Sequence, residues 1–122
     1  MRAIHVAFTA TAWLFLGCVV VQVFLAGMGV FGGAGYDAHR TFGYVFGWLT
    51  LALLVLAIVG RMGRATIIGA SALLVLFALQ SLFVALRADV PWAAALHPVN
   101  ALAIFFVAWH LVRAEPPQGA EA

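Results

Sequence analysis

Four histidines, His5, His39, His97 and His110, stand in a 122-residue chain that is 66% hydrophobic and 8% charged. An imidazole surrounded by hydrocarbon must satisfy two ring nitrogens, so it turns toward a neighbouring helix, a polar cavity or a metal. Cys18 is the single cysteine, and Asp37, Asp89, Glu115 and Glu121 all lie outside the long apolar runs. That is poor material for zinc, which favours thiolates and carboxylates beside its imidazoles. Neutral imidazoles taken in pairs suit axial coordination of heme iron instead. His97 and His110 share the last apolar run, and their spacing amounts to roughly 20 Å along one helix. One helix would thus carry an imidazole near each face of a bilayer. His39 matches His97 in depth, and His5 matches His110. The same spacing turns the helix so that its two histidines point about 140° apart, and each needs a different partner.

The elements that must position these residues are helices. A soluble domain of this size has too much surface for a mean hydropathy of +1.14, so the expected class is membrane, with the lipid bilayer as solvent. Four runs at about 5–29, 40–60, 65–87 and 92–113 reach the roughly 20 residues that a helix needs to cross. Between them lie a glycine-rich loop around Gly32-Gly33-Ala34-Gly35, a tight basic turn at Gly60-Arg61-Met62-Gly63-Arg64, and a polar turn at Arg87-Ala88-Asp89-Val90-Pro91. The first run continues past the length of a signal-peptide core and reads as a retained span. The fold class is therefore all-α: an integral membrane four-helix up-down bundle over 1–114, followed by a short polar tail at 115–122. Pro98 either kinks the last helix or falls in its first turn, where proline is tolerated.

Arg2, Arg61, Arg64 and Arg113 fall on one side of these spans, and Arg40 and Arg87 on the other. The excess of positive charge on cytoplasmic flanks puts both termini in the cytoplasm, with a bacterial inner (plasma) membrane as the expected location. A net charge of +2 without a basic cluster argues against a nucleic-acid partner. The glycine-rich loop has no preceding strand and no following Lys-Ser/Thr, so it is no nucleotide cradle. No Ser/His/Asp or Cys/His set has usable spacing, and no catalytic residue is assigned. The absence of a carboxylate within a span argues against a proton-coupled transporter.

Sliding the chain along itself until Gln22 lies on Gln80 also lays His39 on His97. Each half then has a glutamine, a histidine at the same interval beyond it and a small residue one helical turn further on, Gly43 or Ala101. This is a candidate two-span internal repeat. Its halves point the same way, about a pseudo-two-fold axis along the membrane normal, with His39 and His97 facing across it. His5 and His110 lie outside the repeat. His39, Gly43 and Gly47 share one helical face. The glycines either leave a groove for a porphyrin edge or form a GxxxG packing face. Arg40 and Arg87, with Gln22, Gln80, Ser81 and Asn100 in the same half, are candidates to meet heme propionates, or the amides simply bond between helices.

This pattern resembles the diheme cytochrome b membrane subunits of formate dehydrogenase and nickel–iron hydrogenase. There, a four-span bundle takes one histidine from the first span, one from the second and two from the fourth. The resemblance implies an outer heme b on His39 and His97 and an inner heme b on His5 and His110. His39-Arg40-Thr41-Phe42-Gly43 is also similar to the His-x-x-x-Gly opening of heme A synthase-like bundles. The chain departs from the family in two ways: His97 and His110 stand one position closer together than is usual there, and the loops are short.

The expected function is a membrane b-type cytochrome that binds heme by bis-histidine ligation and moves electrons. Such a chain is an electron-transfer subunit more than a stand-alone enzyme, with a quinone, a redox protein or a second copy as candidate partners. Two rivals are a heme-free accessory or assembly subunit and a single-heme sensor or heme-handling protein. The arginine asymmetry makes a topological prediction. In a Cys18→Ala background, cysteines at Ala34 and Ala88 will react with an impermeant thiol reagent added outside the cell. One at Gly63 will not, and the reverse labelling contradicts the assigned direction.

Overall fold

Long runs of Leu, Val, Ala and Phe form helices, because a backbone in lipid must bond within its own segment. The computed structural model describes residues 1–114, and the polar tail expected at 115–122 lies outside the described residues. It contains α1 (Arg2–Val30), α2 (Asp37–Val59), α3 (Arg64–Ala85), a single turn α4 (Pro91–Ala94) and α5 (Leu96–Val112). Four segments, with α4 and α5 counted together, are long and apolar enough to cross a membrane. The side chains agree with that assignment. Trp48 and Leu102 are 72% exposed, and Phe24 and Phe106 lie on the outer surface with them. In water such a coat would be a liability; in lipid it is ordinary solvation. The chain is an integral membrane protein of the all-α class.

The four long helices form an up-down ring. α1 packs on α2, α2 on α3, α3 on α5 and α5 on α1, so α1 and α3 lie on one diagonal and α2 and α5 on the other. Both chain ends of the bundle, with the Arg61 turn, share one end; the 31–36 loop and the 86–90 turn share the other, called the histidine end below. Small residues let the helices approach closely: Ala12, Ala57, Ala70 and Ala108 are each at most 1% exposed. Phe15, Phe46 and Phe77, from three helices, interlock with ring centroids 5.1–6.0 Å apart.

The interruption at Ala95 has a local cause. Pro98 has no N–H to give to the carbonyl of Ala94, and the chain breaks between α4 and α5 one residue later. Pro98 is consequently the third residue of α5, within its first turn, and α5 runs on from there without another proline. The loop from α1 to α2 needs its glycines at particular places. Gly32 sits at φ +75°, and a Cβ on Gly29 would meet the ring of Tyr36.

Close approach rather than hydrophobic transfer holds helices together when the solvent is itself hydrocarbon. Ala70→Leu, at a fully buried contact, will therefore lower stability in detergent by about 1–3 kcal/mol through overpacking. The equivalent enlargement of lipid-facing Val55 will leave it unchanged. Equal effects in a thermal or denaturant melt would contradict the packing described.

Candidate functional site

The histidine end is built by one hydrogen bond made twice. His39 Nδ1 lies 3.1 Å from the carbonyl oxygen of Gln22. His97 Nδ1 lies 3.1 Å from the carbonyl oxygen of Gln80. A carbonyl only accepts, so each Nδ1 carries the proton, and in the neutral ring each Nε2 carries the lone pair. The two bonds cover the same interval of chain in each half, so the repeat read from the sequence is present as repeated geometry. The helices that bear the histidines are diagonal neighbours, and the rings meet across the bundle. Their centroids are 6.1 Å apart, with planes inclined at 64°. Both histidines are half-buried.

Around this shared bond the halves differ. Asn100 gives its Nδ2 protons to the Leu76 carbonyl at 2.8 Å and to Gln80 Oε1 at 2.9 Å. In the first half the position corresponding to Asn100 is Phe42, which packs on Phe46 instead. Gln22 has no such donor. Its Nε2 donates to the main-chain oxygen of His39 at 2.8 Å and lies 3.3 Å from His39 Nε2. Gln22 and His39 thus clip α1 to α2 reciprocally, each side chain bonding to the other's backbone. Gln22 Oε1 is left buried without a partner.

Toward the bundle centre lies a cavity of about 30 Å³. Its walls include three pairs related by the shift that lays Gln22 on Gln80: Val19 with Phe77, Gln22 with Gln80, and Phe46 with Ile104. Both halves of the repeat thus contribute to its walls. At about one water in size it is a gap between side chains. Where Gln22 and Phe77 arrive the expected glycine groove is filled, although Gly47 also borders an open groove of about 320 Å³ between α2 and α3, walled by Tyr44, Trp48 and Ser81. A Cβ on Gly43 would stand 2.8 Å from Gln22 Nε2, and one on Gly47 would stand 2.6 Å from the ring of Phe77. Gly43 and Gly47 serve as a packing face that admits the Gln22 amide and the Phe77 ring.

The remaining expected residues are placed differently. Arg40 and Arg87 are exposed at the histidine end. Arg40 approaches Asp37 at 3.8 Å, and Arg87 donates to the Val84 carbonyl at 3.3 Å. At the opposite end His5 is buried, and its Nε2 donates to the Gly60 carbonyl at 2.9 Å. Gly60 permits this by close approach, since a Cβ there would crowd Leu56 and Ile4. His110 is exposed, bonds through Nδ1 to the Phe106 carbonyl one turn back in its own helix, and lies against the Phe106 ring at an inclination of 53°. His5 and His110 are engaged separately, one inside the bundle and one on its surface. Among the described residues no group of three or more metal-binding side chains occurs; the site is a pair.

The spacing of Gln22 and Gln80 marks the glutamines but not the use of their backbone carbonyls. Phe46 and Phe77, which line the cavity, carry no comparable polar signal. The internal repeat reaches them instead, because its shift places Val19, Gln22 and Phe46 opposite Phe77, Gln80 and Ile104.

No curated protein and no solved structure matches the chain. A family model, described as a family of unknown function (DUF6220), matches residues 22–89. The match runs from Gln22 through His39 and Gln80 to Asp89 and covers more than half of the 122 residues, so the chain belongs to the DUF6220 family.

Proposed function

We propose that the chain is a membrane b-type cytochrome whose heme iron is held between His39 and His97. The observation that carries this reading is the pair of tied imidazoles. A metal-ligating histidine characteristically donates its second ring nitrogen to a carbonyl, which fixes the tautomer and makes the other nitrogen a better ligand. Both rings here are tied in that way. An ion bound on both sides at about 2 Å, with each nitrogen roughly 1 Å from its ring centre, sets two imidazoles about 6 Å apart. The 6.1 Å centroid separation is of that order, with His39 Nε2 turned to the Gln22 amide in this structure.

On donor chemistry the residues fit heme iron: two neutral imidazoles, no competing thiolate, and helices that face lipid. The gap beside them, of about 30 Å³, is far too small for a macrocycle, so heme would be held there only if the side chains of Gln22, Phe46 and Phe77 moved aside. Gly43 and Ala101 beside them remove bulk next to each ligand. When bound, heme supplies one-electron exchange. The protein's own contribution would be to orient the rings through the Gln22 and Gln80 carbonyls, keep water away, and offer Arg40 and Arg87 as cations for the propionates. The proposed role is electron transfer within or across a bacterial plasma membrane with the termini cytoplasmic. A membrane quinone or a redox protein would exchange electrons with it. The arrangement supports this outer site; His5 and His110 act as structural residues, so the proposal is for one heme.

A second reading has an observation in its favour. Gln22 already occupies the lone pair of His39, as it would in a heme-free subunit whose histidines only lock helices together.

Purification of the full-length protein from heme-sufficient cells separates the two. We expect about one heme per chain and a visible spectrum of six-coordinate low-spin iron. His39→Ala and His97→Ala will each abolish that spectrum, while His5→Ala and His110→Ala will retain it. A colourless protein, or a spectrum that survives the double replacement of His39 and His97, rejects the cytochrome reading.

A further inference from the structure

We infer that the gap between Gln22 and Gln80 is the site of one internal water, held by both side-chain amides and completing a hydrogen-bonded chain through all four long helices. The site belongs to the heme-free chain and does not depend on the cytochrome reading. The orientation of each amide comes first. The main-chain oxygen of His39 only accepts, so the end of the Gln22 amide lying 2.8 Å from it must be Nε2. Oε1 is thereby fixed on the other arm of the amide, where it is buried and meets no donor among the described residues. In the second half Asn100 Nδ2 donates to the Leu76 carbonyl at 2.8 Å and reaches the Gln80 amide at 2.9 Å. A donor there must meet Oε1, so Gln80 Nε2 is turned away from Asn100. Among the described residues that Nε2 makes no hydrogen bond.

One half of the repeat is thus left with a bare acceptor and the other with a bare donor. Both glutamines wall the same gap of about 30 Å³. That is room for one water and for little else. The rest of the wall is hydrocarbon, Val19, Phe46, Phe77 and Ile104 among it, so no other polar group competes for the molecule. A void lined only by apolar side chains stays dry. Here a buried amide oxygen keeps its desolvation penalty until a donor arrives, and the entropy lost in fixing one water is the smaller quantity. The water accepts from Gln80 Nε2 and donates to Gln22 Oε1. Every bond then runs in one direction: Asn100 to Gln80, Gln80 to water, water to Gln22, and Gln22 to His39. The chain passes from α5 through α3 and α1 to α2. Each amide accepts at oxygen and donates at nitrogen, so the bonds polarise one another in a low-dielectric interior. Phe42 stands where the second half has Asn100, and that difference makes the two ends complementary.

The test uses the full-length protein without heme, in deuterated detergent, and its probe is water itself. Rotating-frame Overhauser spectra separate direct contact from proton exchange by sign. We expect a direct contact between the water resonance and the methyl groups of Ile104, a residue 2% exposed, and a second with the side-chain amide protons of Gln80. Gln22→Met and Gln80→Met, each removing one partner, will each abolish the Ile104 contact. Ala101→Val narrows the gap from a wall that carries neither amide. It will abolish the contact too, and it decides the matter if a glutamine variant does not fold. No contact at Ile104 in the wild-type protein, with its methyl signals resolved, overturns the site. A contact that survives in any of the three variants also overturns it, because the water would then be held elsewhere. A protein that shows the contact but never takes up heme keeps the water and loses the function proposed above.

Discussion

The histidine end depends on an imidazole N–H given to a main-chain carbonyl of the preceding helix, Gln22 for His39 and Gln80 for His97. That carbonyl is already part of a helix, so the bond uses its second lone pair and leaves the helical ladder intact. It fixes three things together: the distance between paired helices, the tautomer of the ring, and the direction of the free nitrogen. In hydrocarbon such a bond is worth about 0.6–2 kcal/mol, too little to hold the bundle alone. Its value is in orientation. Made twice across a pseudo-two-fold axis, it brings His39 and His97 to within 6.1 Å of one another, centroid to centroid, from helices on a diagonal of the bundle.

The two ends of the bundle solve the problem of an intramembrane histidine differently. At the histidine end the rings approach one another from diagonal helices, each with its Nδ1 proton on the carbonyl of a preceding helix. At the other end His5 spends its Nε2 proton on Gly60, pinning α1 to the turn after α2. His110 turns outward and bonds within its own helix. Depth along the membrane is the same kind of match in both pairs, so depth alone could not distinguish them. The difference lies in azimuth around the helix, and in whether a neighbouring backbone comes close enough to accept.

The four helices were legible because hydrophobic length in lipid leaves the backbone no alternative to a helix. The repeat was legible from two polar residues in each half, since a glutamine and a histidine stand out against Leu, Val and Ala. Other features were not. Whether Gly43 and Gly47 open a groove or fill one depends on which side chains arrive from α1 and α3, namely Gln22 and Phe77. The split at Ala95 followed from Pro98, yet its place in the first turn required knowing where α5 begins. The asymmetry between Gln22 and Gln80 was written in the sequence as Asn100 against Phe42. Its consequence appears only when the amides are seen to bond to different helices.

The proposal that heme iron is held between His39 and His97 has one most direct test. Pulsed electron paramagnetic resonance on the oxidised, purified protein with ¹⁵N-labelled histidine counts the imidazole nitrogens bound to iron directly. The account predicts a low-spin ferric centre coupled to two such nitrogens, one lost on replacing His39 and the other on replacing His97. A ferric centre with the same nitrogen couplings in both variants, or no ferric centre after heme-sufficient growth, would contradict it.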